Sequence, residues 1–160
     1  MANDTTSEQA LTEYLERVHM LFEQAKKWTR QYDPDASFEE ETVTIKEEPV
    51  EPYLARVLVI KRAGRKPIRL IPRGCWIIGA EGRVDMKSDL GAETFVYVLD
   101  GGPGIRFTVQ TEGGHILDQG GPHPLFQDVR EGWAFLHDRK LGMLPILDAE
   151  LFCRLLEMLG

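Results

Sequence analysis

Hydrophobic positions near the start of the chain recur at alternating steps of four and three, the spacing of one face of an α-helix. The stripe consists of Leu11, Leu15, Val18, Phe22, Ala25, Thr29 and Tyr32, and is widened by Tyr14, Leu21 and Trp28. A capping box of Thr5 with Glu8, or of Thr6 with Gln9, is expected to start this helix. Asp33-Pro34 is expected to end it, because proline disfavours helix in the residue before it.

From residue 38 onward the period changes to two, which is typical of strands. An almost continuous apolar run at 54–60 indicates a strand covered on both faces. Other strand-like runs, separated by glycine and proline, cover 42–46, 68–71, 75–78, 83–86, 93–99 and 105–111. The glycine-rich turn 100–104 predicts that 93–99 and 105–111 pair as a hairpin. For residues 123–140 the pattern favours a short helical turn followed by a strand. It disfavours a single helix across this range.

A second helix is predicted at the C-terminal end of the sequence. Asp148 is a favourable N-cap, and the residues after it form one broad apolar face of Leu151, Phe152, Leu155, Leu156 and Leu159. The chain is therefore expected to form a single α+β domain over residues 1–160, with 1–6 disordered. Its predicted order is an N-terminal amphipathic helix, an antiparallel meander of about six to eight strands, open or curled, and a C-terminal helix.

Two adjoining stretches carry opposite charge. Residues 33–53 hold eight carboxylates against Lys46, whereas residues 54–73 hold seven cations and no acid. Because both stretches contain strand patterns, we expect neighbouring strands whose charges face each other, with Glu40 or Glu41 opposite Lys61. Such pairing accounts for both stretches without a ligand.

Composition narrows the function classes. A net charge of −7 disfavours a general nucleic-acid coat or a binder of anionic membranes. No apolar run approaches the roughly 20 residues of a membrane span. Cys75 and Cys153 lack the spacing of a disulfide framework or a metal site, so both are interpreted as small buried hydrophobic residues. We expect a cytoplasmic protein with no cofactor.

Two alternative sites remain open. A basic set around one turn would hold phosphate or nucleic acid, and consists of Lys61, Arg62, Arg65, Lys66 and Arg69. Nucleic acid is disfavoured, because residues 54–73 contain no aromatic side chain for base stacking. A metal-dependent enzyme would use the loop 113–123 with His115, Asp118 and His123 as weak candidate ligands, although their spacing matches no known metal signature.

No catalytic motif was found: the sequence contains no GxSxG, HExxH or GxxxxGK[ST]. In the segment 74–85, glycines separate a strand, a turn and a short strand, a pattern that suits a tight bend. The sequence favours a non-enzymatic module that binds another protein or a second copy of itself. The partner would use the acidic strand 38–48 by strand addition, or the N-terminal helix.

Overall fold

The computed structural model describes residues 2–48, 50–75, 80–99, 131–136 and 145–160, with side chains from residue 7, and the backbone of 104–105 and 123–124. The helices are α1 (Ala2–Tyr32) and α2 (Ala149–Leu159). The strands are β1 (Ser37–Ile45), β2 (Tyr53–Lys61), β3 (Ile68–Gly74), β4 (Gly82–Ser88), β5 (Gly91–Val98), β6 (Gly104–Ile105), β7 (His123–Pro124) and β8 (Gly132–Phe135).

Six of the strands form one open antiparallel sheet in the order β1-β2-β3-β4-β5-β8. The short strands β6 and β7 pair separately with each other. This confirms the α+β class with an N-terminal helix, an antiparallel meander and a C-terminal helix. The extent of the single domain, residues 1–160, and the disorder of 1–6 stay predictions. In the described part of the chain, neither helix combines the length and apolarity needed to cross a bilayer.

Helix α1 forms where the apolar stripe predicts it. Its buried residues are Tyr14, Val18, Leu21, Phe22, Ala25 and Thr29, all of which belong to that stripe. The helix begins at Ala2, ahead of the expected capping box. It ends at Tyr32, and a hydrogen bond of 2.7 Å from the Asp33 amide to the Thr29 carbonyl closes its last turn.

The core lies between the two helices and one face of the sheet. The strands contribute alternate residues, among them Leu58, Ile60, Ile68, Leu70, Val84, Met86 and Phe95. From α2 come Phe152, Leu155, Leu156 and Leu159. Burying each such side chain stabilises the fold by about 1.5–3 kcal/mol. Asp148 caps α2 as predicted, because its carboxylate accepts a 2.8 Å hydrogen bond from the Leu151 amide.

The predicted register of the charged strands is wrong. Lys61 lies opposite Ser37 instead of Glu40 or Glu41. The observed register places Phe38 opposite Ile60, and Phe38 packs against the core. Apolar burial therefore fixes the alignment, since exposed charge pairs contribute too little to oppose it.

The predicted hairpin partner of 93–99 is also wrong. Strand β5 is flanked by β4 and β8, and Ile105 pairs with His123. Residues 106–111 lie outside the described residues. Strand β8 is favoured beside β5 because aromatic rings meet across the pair: Phe95 contacts Phe135 with centroids 6.3 Å apart, and Tyr97 contacts Trp133 at 5.5 Å. The strand expected near the end of 123–140 is present as β8.

Candidate functional site

Strand β1 is an edge strand. It pairs with β2 on one side, and no strand in the described residues pairs with its other side. The opposite edge, β8, is covered, because the Phe135 amide donates to the Pro145 carbonyl and the Leu147 amide donates to the Trp133 carbonyl, each at 2.9 Å. An open edge presents backbone donors and acceptors that a further strand can bind. At nine residues, β1 offers a long one.

A groove lined by apolar and charged side chains lies beside this edge, on the face of the sheet that carries α1. It encloses about 410 Å³ and is lined by Leu15, Val18, His19, Phe22, Glu23, Glu40, Leu54, Ala55 and Arg56. Leu54 is 67% exposed. An exposed leucine beside an apolar floor is a suitable contact for another apolar side chain.

The acidic side chains of β1 pair with cations from the neighbouring strands. Glu39 lies 2.9 Å from the Lys61 ammonium, and Glu41 accepts hydrogen bonds of 3.0 and 3.2 Å from the Arg69 guanidinium. These hydrogen bonds hold the pKa of Glu41 below its usual value. The two charged stretches therefore face each other in one sheet, as predicted, although in a different register.

Hydrogen bonds to Glu47 hold the turn after β1 in place. Its carboxylate accepts hydrogen bonds from the Tyr53 hydroxyl and from the Cys75 amide, the latter at 3.1 Å. Burial, together with the hydrogen bond to Glu47, raises the pKa of Tyr53. Gly74 allows this approach, because a Cβ at that position would lie 2.6 Å from a Glu47 oxygen. These contacts hold the end of β1 in place.

Most of the predicted anion-binding residues contact carboxylates. Lys61 and Arg69 pair with β1, and Arg65 lies 3.0 Å from Glu157. Arg62, only 8% exposed, binds Asp33 at 3.0 Å and Glu157 at 2.9 Å. These contacts join the end of α1, the β2–β3 turn and α2. Lys66 is exposed. Anion binding by Lys61, Arg62, Arg65, Lys66 and Arg69 stays a prediction.

Of the candidate metal ligands, His115 and Asp118 lie outside the described residues. His123 belongs to β7, where its backbone pairs with Ile105. Within the described ranges, no three histidine, cysteine, aspartate or glutamate side chains form a group that could hold a metal ion. A metal site in the loop 113–123 therefore stays a prediction.

Burial disfavours the thiolate form of both cysteines. Burial raises the pKa of Cys75 to about 12. Cys153 lines a shallow groove of about 530 Å³ between α1 and α2, and burial raises its pKa as well. Both thiols are protonated at neutral pH, whereas a nucleophilic cysteine acts as the thiolate.

Comparisons of the chain with protein-family models, curated proteins and solved structures found no match.

A charged cluster that the sequence pattern did not predict lies on the sheet face opposite α1. Asp85 is the only buried carboxylate among the described residues. It binds the side chains of Arg73, Arg83 and Thr94. The alternation Arg83-Val84-Asp85 already places two of these groups on one face of a strand. The contribution of Arg73 depends on strand pairing, which the sequence does not encode locally.

Proposed function

We propose that this protein is a protein-binding module that accepts an extended segment of a partner as an added strand along β1. The open nine-residue edge of β1 carries the proposal. In strand addition, main-chain hydrogen bonds supply affinity and alternate side chains supply specificity. The fastened turn at Glu47 supports it further, because an edge held in its extended form loses little conformational entropy on binding.

Charge indicates which kind of segment fits. The edge and its following turn carry Glu39, Glu40, Glu41, Glu47, Glu48 and Glu51. Among the described residues the cations near them are fewer, namely Lys26, Lys46, Arg56, Lys61 and Arg69. A second copy of β1 would bring the same negative excess to the interface. The preferred partner is therefore a different protein with a basic extended segment.

The groove beside β1 adds a requirement for apolar side chains. Successive side chains of an added strand point to opposite faces. Those on the α1 face would lie next to the groove and could cover the exposed part of Leu54. The proposed segment therefore alternates apolar residues on that face with basic residues on the other.

A peptide display library tests this directly. We expect enrichment of basic, alternating peptides, and we expect the amide resonances of β1 to shift on peptide binding while those of β8 and α2 stay unchanged. N-methylation of alternate peptide amides separates strand addition from side-chain docking. One alternate set should abolish binding because it faces β1, and the other set should have little effect.

Charge variants provide a matched control. Glu48 and Glu51 are exposed in the turn after β1, so Glu48→Lys with Glu51→Lys should weaken peptide binding severalfold and reduce its salt dependence. Glu16→Lys with Glu150→Lys makes the same charge change on the exposed surfaces of the helices and should leave affinity nearly unchanged. Peptide shifts that map away from β1, or equal sensitivity to both N-methylated sets, would rule out strand addition.

A further inference from the structure

We infer that Arg73 and Arg83 form a binding site for an oxyanion of the phosphate-monoester class, on the sheet face opposite α1. This site is separate from the β1 edge and from the basic turn at 61–69. It lies where β3, β4 and β5 run side by side.

A buried carboxylate orients the two guanidinium groups. The Arg73 Nε donates to Asp85 Oδ2 at 2.9 Å, and the Arg83 Nε donates to Asp85 Oδ1 at 2.9 Å. Arg83 Nη2 adds a second contact to Oδ2 at 3.2 Å, and the Thr94 hydroxyl donates to Oδ1 at 3.2 Å. With its side chain only 11% exposed, Asp85 is a fixed support for both arginines.

Arg73 shares this face with Ile71, because side chains alternate along β3, and a bulge shifts the register beside it. Pro72 pairs with Val84 and Gly74 pairs with Arg83, so Arg73 is the extra residue between two consecutive pairs. A bulge changes the direction of a side chain, and bulges are frequent beside functional sites. Alternation along β3 and its pairing with β4 therefore set the first arginine beside the second on one face of the sheet.

The cluster keeps unused donors and a positive charge. Arg73 contacts Asp85 through Nε alone, and Arg83 leaves Nη1 without a partner among the described residues. The side chains of Arg73 and Arg83 are 41% and 38% exposed, so these donors reach solvent. One carboxylate neutralises only one of the two guanidinium groups.

These properties match a phosphoryl group better than a carboxylate. Guanidinium groups bind phosphate oxygens through paired N–H donors, and two such groups with a fixed orientation suit a dianion. Lys87 lies on the same face of β4 and is exposed, adding positive field. Arg69, opposite Lys87, is already bound by Glu41 and is therefore outside the proposed site.

The test uses the full chain, inorganic phosphate and the Nε–H resonances of the arginine side chains at low ionic strength. We expect saturable shifts at Arg73 and Arg83 in the low-millimolar range, and none at Arg154 on α2. Sodium chloride at matched ionic strength should not reproduce them. Phenyl phosphate is the second ligand to be titrated. Tighter binding than that of inorganic phosphate would show that the site takes a monoester. Weaker binding would show that free phosphate is the better ligand.

Arg73→Lys keeps the charge but removes the planar fork, so it should weaken phosphate binding roughly tenfold. Arg154→Lys is the matched control and should leave it unchanged. Circular dichroism and core methyl resonances would establish that both variants are folded. An absence of saturable shifts, the same shifts with chloride, or unaltered affinity in a folded Arg73→Lys variant would overturn the inference and leave the cluster with a structural role alone.

Discussion

The hydroxyl of Tyr14 lies 2.8 Å from the carbonyl oxygen of Arg83 and donates a hydrogen bond to it. The same hydroxyl accepts a 3.1 Å hydrogen bond from the Gly74 amide. Tyr14 is fully buried, so this one side chain connects α1 to the facing ends of β3 and β4. The backbone beside both arginines of the proposed oxyanion site is therefore held from the other face of the sheet.

Replacing Tyr14 tests that connection. Tyr14→Phe should lower the free energy of unfolding by about 1–3 kcal/mol, because it leaves a buried amide and a buried carbonyl without partners. Urea denaturation measures the change. Tyr32→Phe is a control that also removes a hydroxyl, but at an exposed side chain, and should cost less. Equal losses for the two variants would contradict the role given to Tyr14.

Gly82 should not tolerate a side chain. A Cβ there would lie 2.5 Å from Tyr14 Cδ1, so Gly82→Ala forces the ring or the strand to move. We expect a loss of about 1–3 kcal/mol in the free energy of unfolding. Gly64→Ala is the control: Gly64 has φ +71° and open space around it, so its cost is one of backbone conformation alone. Shifted Tyr14 ring resonances in Gly82→Ala, absent in Gly64→Ala, would identify the steric cause.

The two thiols should differ in labelling rate. Cys75 is 8% exposed and its pKa is raised to about 12, so iodoacetamide at pH 8 should leave it unmodified in the folded protein. Cys153 is partly exposed and should react slowly, because its pKa is raised as well. Mass spectrometry of native and urea-unfolded samples measures both sites. Labelling of Cys75 as fast as Cys153 would contradict its burial.

Stability should fall on the alkaline side. Burial raises the pKa of the Cys75 thiol from 9.0 to about 12, and it also raises the pKa of Tyr14 above 10.0. Below pH 9 both groups are protonated in the folded and unfolded states, so they add no pH dependence. Between pH 9 and about 12 the unfolded chain loses these protons first, and the free energy of unfolding falls. Chemical denaturation across this range measures the slope, which Cys75→Ala should reduce.

Low pH should weaken the attachment of β1 to the sheet. Hydrogen bonds from Arg69 hold the pKa of Glu41 below 4.5, so its contribution to stability is present above that pH. The contribution is lost as the pH falls through the lowered pKa, because the folded state must then take up a proton at that site. Hydrogen exchange of β1 amides should increase over this range. In the Glu41→Gln variant the β1 amides should exchange faster at neutral pH, and their exchange rates should change less on acidification.

Local patterns predict the helices and most strands of this protein, because their signals lie within each segment. Residues such as Val18 and Phe22 share a helical stripe, and Asp148 marks the start of α2 by its own capping chemistry. Sheet neighbours depend on distant parts of the chain. Strand β5 pairs with β8, although more than thirty residues separate Val98 from Gly132, and the usual preference for sequential neighbours gave the wrong partner.

The candidate sites follow the same division. The acidic strand could be identified as a possible edge, since its charge and length are local properties. The arginine cluster could not, because the contact between Arg73 and Asp85 depends on which residues of β3 and β4 lie side by side.

The contact between Glu41 and Arg69 joins the two proposed surfaces. Glu41 belongs to the open edge, and Arg69 lies on the face that carries Arg73 and Arg83. A peptide lysine that captured Glu41 would release the Arg69 guanidinium to that face and increase its attraction for an oxyanion. Thermodynamic reciprocity then requires the oxyanion to favour the peptide by the same factor. Binding of the two ligands would then be coupled, and the Glu41–Arg69 ion pair would carry the coupling.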